Sequence, residues 1–243
     1  MKRFAAVLAL AVLSAASAHA AGIHFDPTFT TATLGDLADG VGDVLTFPNL
    51  GPASPLGLTG FEVIAAAGGP QVDTAAHWWH AVDGSTVGGV FYGQRVIVRK
   101  GLPAHLDLGV QVGQVLGERF WGGEVRWGFL EGGAVSPAAG LRLTYSRLSS
   151  APLDFLEVAE GQILVSKGFL VVTPYAGIGY RRVFARATFS EPMGPAGFRQ
   201  SADRSGFTGT VGARVTLLPL LHLVGELRQG ANRSLYLGLG VGL

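Results

Sequence analysis

The sequence predicts a closed antiparallel up-and-down β-barrel of about ten strands (eight to twelve) that crosses a membrane, with a short helical segment ahead of it. Three observations carry the prediction. Apolar residues alternate with small or polar ones in segments of roughly ten residues, the two-residue period of a strand whose side chains point to opposite faces. Turn chemistry separates these segments. Charged residues make up 14% of the 243-residue chain, against roughly 25% in ordinary soluble domains, while mean hydropathy is +0.37 and glycine reaches 37 residues.

The opening MKRFAAVLALAVLSAASAHA has Lys2 and Arg3 before an apolar run from Phe4 to Leu13 and ends on Ala18-His19-Ala20, so residues 1–20 read as a secretory signal cleaved after Ala20. Without it the chain holds 16 Lys plus Arg against 17 Asp plus Glu, a formal charge of −1 that suggests neither nucleic acid nor an anionic surface as partner. The absence of cysteine excludes disulfides, a lipoprotein anchor and thiolate chemistry.

Residues 21–57 precede the barrel. Leu34, Leu37, Ala38, Val41, Val44 and Leu45 recur at helical spacing, with Asp36, Asp39 and Asp43 on the other face, Thr33 as N-cap and Pro48 as stop. Gly40 and Gly42 make this a marginal helix unless it docks. Two placements follow: a periplasmic leader lying outside the barrel, or a plug inserted in its lumen, in either case joined by the linker NLGPASPLG.

Strands are expected at 58–67, 91–101, 104–114, 118–130, 137–148, 155–167, 169–184, 205–217, 220–229 and 233–243. An even number closes the barrel with its first and last strands paired, leaving no open edge. The connections KGLPA, EGGAVSP, SKGF and LLPL fall on one side; 68–90, 115–117, 149–154, 185–204 and 230–232 fall on the other, which thus carries the long loops. The pattern is sharp around Leu106 to Val112, Trp121 to Phe129, Leu141 to Tyr145, Phe207 to Leu217 and Leu235 to Leu243, and blurred near 58–67 and 155–184.

Alternation alone does not say which face looks outward. The polar faces carry too little charge to solvate a soluble barrel. Trp121, with Trp127 and Phe129 at the other end of its strand, is spaced as aromatic girdles flanking an apolar band about 25 Å tall require. Tyr92, Tyr145, Phe155 and Phe207 sit near other strand ends. The aliphatics are therefore placed against lipid. With its signal, strand pattern and final alternating strand, the chain resembles the bacterial outer-membrane β-barrel proteins over residues 58–243. The resemblance implies a Gram-negative outer membrane as location, with outer-membrane lipid and the barrel-assembly machinery as partners. The chain departs from that family's common aromatic ending by closing on Leu243.

In this register Glu62, Arg95, Arg99, Asp107, Glu124, Arg126, Arg142, Glu160, Arg181, Arg214, Glu226 and Arg228 line the lumen. Opposite charges there must pair to offset desolvation. Either they close the lumen as a network or they line a narrow channel, where seven arginines against five acids would modestly favour a small anionic solute. In the 68–90 loop, Asp73, His77, His80 and Asp83 carry only a weak metal or acid–base signal, and Trp78 and Trp79 read as interfacial anchors. His105 with Asp107, and His222 with Glu226, share strand faces but lack a serine nucleophile beside them. No catalytic, metal-binding or cofactor motif is found. The expected function is non-enzymatic: a small-solute channel or a structural and surface component. A rim enzyme acting on lipid or peptide, and a soluble exported barrel binding an apolar ligand, are the alternatives.

Overall fold

The computed structural model describes residues 31–82, 86–133, 135–150, 153–189 and 198–242. The signal at 1–20, Asp83, the centre of the 185–204 loop and Leu243 lie outside the described residues. Ten strands form one closed antiparallel barrel: β1 (Phe61–Pro70), β4 (Gly93–Leu102), β5 (Leu106–Val115), β6 (Glu118–Leu130), β7 (Ala138–Ser150), β8 (Leu153–Ser166), β9 (Val172–Phe189), β10 (Phe198–Leu218), β11 (Leu221–Gln229) and β12 (Arg233–Gly242). Each pairs with the next, and β12 pairs with β1 from Glu62↔Gly242 to Pro70↔Ser234, so no edge is left open. The short hairpin of β2 (Thr86–Val87) and β3 (Val90–Phe91) and a 3₁₀ turn at His77–Ala81 fold within the first long connection.

Period two sorts the wall. Val110, Leu143, Ile178, Val211, Leu227 and Leu237 are among the large apolar side chains exposed on its outside, and a large set of charged side chains, including Arg95, Arg99, Glu124 and Arg142, is buried within. The rim where β1 begins and β12 ends is here the lower rim; the long connections form the upper. The expected loop 185–204 is shorter than the sequence suggests, because β9 and β10 stay paired from Val172↔Val215 up to Phe189↔Phe198.

Residues 31–57 do not lie outside the barrel. Helix α1 (Thr31–Leu45) sits in the upper half of the interior, Leu34, Leu37, Val41 and Leu45 having no exposed surface. Its apolar side chains pack with the inward faces of β7, β8 and β9, including Leu148, Leu156, Val158, Val183 and Ala185. The chain then descends through the lumen as an extended strap over residues 46–60, and Gly101 N–H reaches Gly60 O at 3.1 Å beside the start of β1.

Candidate functional site

The lumen is built in two storeys, and the residue types on each inward strand face follow from what they meet. The upper storey is apolar and holds α1. Trp78, expected as a lipid anchor, instead turns inward over the helix: it is 9% exposed, belongs to the α1 cluster and meets Trp79 edge-on at 5.6 Å. A Cβ at Gly40 would come within 2.4 Å of the Trp78 ring, and one at Gly42 within 3.0 Å of Val183, so the two glycines that weaken the isolated helix are what let it dock. Polar contacts mark its direction. Asp36 and Asp39 meet Arg204 and Arg181, and Asp43 accepts from Asn232 in the upper turn between β11 and β12 at 2.8 Å.

The lower storey is charged and clamps the strap. Arg95 donates to Val44 O at 2.5 Å and Thr46 O at 2.7 Å, and Gln111 Nε2 to Leu45 O at 3.1 Å, so barrel side chains satisfy carbonyls that the helix end leaves open. Arg142 donates to Phe47 O and Pro48 O at 2.8 and 3.1 Å, with its guanidinium 5.3 Å from the Phe47 ring centroid. Arg99 donates to Asn49 O at 2.5 Å and Leu50 O at 3.4 Å, and Arg126 to Pro52 O. In the opposite sense, Glu226 accepts from the amides of Asn49 and Leu50 at 3.2 and 2.9 Å, Ser166 from Ala53 at 2.9 Å and Asp107 from Leu56 at 3.0 Å.

The remaining charges neutralise these clamps. Glu124 bridges Arg99 (2.7 Å) and Arg142; Glu62 bridges Arg99 (2.9 Å) and Arg214; Glu160 pairs with Arg228, and Arg181 with Asp43 of α1. All twelve lumen residues thus point inward, eleven of them buried and Arg214 partly so, and each contacts the strap, α1 or another of the set. The surplus of two arginines in this set is matched by Asp39 and Asp43 of α1, both of which pair with Arg181. Gln111, Gln162, Ser166, Tyr175 and Tyr236 complete the lining without having stood out in the sequence: Tyr175 donates to Glu226 at 3.0 Å, and Tyr236 to Asp43 O.

Among the described residues the histidines do not assemble a site, and the side chain of His77 lies outside that description. His105 is not on the strand face of Asp107; it lies in the turn before β5 at φ +59°, half exposed, 2.5 Å from Glu131. His222 is buried 3.2 Å from Glu62. His80 is exposed in the 3₁₀ turn, and no cluster of metal-ligating side chains occurs among the described residues.

No family model matches the chain, and no curated protein matches it. Among solved structures it is similar to the N-terminal β-barrel domain of Pseudomonas aeruginosa OprF, with 11% identity and a TM-score of 0.39 over 77% of this chain and 99% of that one. Ail, the attachment invasion locus protein of Yersinia pestis, gives 11% and 0.34 over 76% and 99%. The KdgM porin gives 6% and 0.39 over 74% and 98%. These neighbours are outer-membrane β-barrel proteins.

Proposed function

We propose that the protein is a bacterial outer-membrane barrel sealed by its own N-terminal segment, acting as a non-enzymatic structural and surface component. The observation that carries the seal is the clamping of the strap: side chains of the wall bond carbonyls from Val44 at the helix end to Pro52, and amides of Asn49, Leu50, Ala53 and Leu56. A solute would have to break this ladder of buried, largely charge-assisted bonds to pass. The membrane location is supported by the inversion of the wall, since an exposed apolar belt around charged contents suits lipid and would aggregate in water. Aromatic pairs bound that belt, Trp121 with Tyr145 (5.8 Å) and Tyr180 with Phe207 (5.4 Å) toward the upper rim, Trp127 with Phe129 (5.9 Å) toward the lower. Insertion would fall to the barrel-assembly machinery. Against catalysis stands the engagement of the lumen carboxylates by arginines or by the strap, which leaves none placed as a base for a substrate.

Planar-bilayer recording tests the seal. Protein whose folded and boiled forms migrate differently should insert without discrete conductance steps; steps would restore the small-solute channel in its place. Release from membranes by carbonate would overturn the membrane location.

A further inference from the structure

On the outside of the wall, strands β8 to β12 share a concavity of about 920 Å³ with a mostly apolar lining. Register explains its shape. One outward row runs Ile163, Ile178, Gly209, Gln229 and Arg233 across the five strands, and the row below runs Val165, Ala176, Val211, Leu227 and Leu235. Ala176 and Gly209 are the low points; a Cβ added at Gly209 would meet nothing within 4 Å. The row above carries Tyr180 and Phe207, 50% and 85% exposed, which raise a ridge along the groove.

We propose that this groove seats one acyl chain of a phosphate-headed bilayer lipid, with Arg233 holding the phosphate. The inference rests on the membrane location proposed above. Four strand-to-strand steps of ~4.8 Å make the groove about 19 Å long, enough for a chain that reaches the middle of a hydrocarbon core roughly 30 Å thick. Strand tilt makes it diagonal, from near the lower end of β8 to Arg233, the first residue of β12 at the upper rim. Only that end is polar: Arg233, Gln229 and Gln71 are exposed there. Arg233 Nε donates to Gln229 Oε1 at 3.1 Å, which steadies the guanidinium, and Arg233 has no acidic partner among the described residues. Arg147 and Arg182 toward the same rim are already paired, with Glu157 at 3.0 Å and Asp203 at 2.6 Å. A guanidinium left without a carboxylate at the headgroup end of an apolar slot matches a phosphate followed by a chain.

The test is native mass spectrometry of the full chain, delipidated in non-ionic detergent micelles and titrated with phosphatidylglycerol or with diacylglycerol of the same chains. The expected result is one retained phosphatidylglycerol per chain. Arg233→Gln should weaken it roughly tenfold, to the level of diacylglycerol, as loss of a charge-assisted contact predicts. Gly209→Leu, which fills the groove, should abolish retention of both lipids while the folded form keeps its gel mobility. Retention unchanged in both variants would overturn the proposal. So would a dimer without lipid that Gly209→Leu dissolves, since the groove would then fit a second copy. A chain that stays folded and monodisperse without detergent would overturn the membrane location itself, a result separate from lipid-free protein in micelles.

Discussion

Glu124 shows how much rests on single lumen residues: one carboxylate, with no exposed side-chain surface, holds both Arg99 and Arg142, which in turn hold Phe47, Pro48, Asn49 and Leu50 of the strap. Replacing a buried pair by apolar groups is often harmless, but removing one partner strands the other charge. Glu124→Gln should therefore cost about 3–5 kcal/mol in denaturant unfolding of the micelle-bound protein. On the outer wall, Glu157 sits 3.0 Å from Arg147 with both side chains partly exposed, and Glu157→Gln should cost no more than ~1 kcal/mol. Equal losses would mean that the buried network does not hold the strap. Charge count was the legible signal here. The seven arginines against five acids of the lumen set read in the sequence as an anion preference, whereas Asp39 and Asp43, on the acidic face of the helix, bring the two signs level.

At the level of elements, the ten strands could be read because an apolar outside and a polar inside preserve period two, most clearly in β5, β6 and β12. The blurred segments are those whose inward faces are apolar as well. Ile64 and Ala66 of β1 meet Phe47 and Leu50, and Leu156, Val158, Val183 and Ala185 of β8 and β9 meet α1. Helical spacing revealed α1 but not its seat, since amphipathicity says that a face must be covered without saying by what. Trp78 was misread for a related reason: two adjacent tryptophans in a loop fit a lipid interface, and only the close approach to Gly40 shows that the loop closes over the helix. Gly40→Val should push Trp78 aside at a cost of about 1–3 kcal/mol. Hydrogen exchange would localise that loss. The amides of Thr31–Leu45 should exchange roughly 5- to 150-fold faster while those of β5 and β6 keep their protection, and uniform loss would mean that α1 and the wall unfold as one unit.

Considered whole, the molecule is a soluble protein's polarity turned inside out, and that inversion yields a prediction whose sign separates its two surroundings. Val110 lies mid-strand on β5, 58% exposed on the outer face, and Gln114 lies outward near the upper end of the same strand. In water, an arginine at either position would be solvated and close to neutral, within about ±0.5 kcal/mol. In lipid the cost depends on depth: Val110→Arg should lose ~2–4 kcal/mol, and Gln114→Arg about 0–1 kcal/mol. Unfolding of both variants in phospholipid vesicles measures the difference directly. A depth-dependent loss would fix the belt in the hydrocarbon; equal, near-zero effects would mean that the exposed aliphatics face something other than lipid. The seal should be untouched in either case, because Val110 points away from Arg99 and Gln111, its inward neighbours across β4 and along β5. A conductance change in Val110→Arg would therefore show that wall and strap are coupled through the strands, which the inward hydrogen-bond ladder does not require.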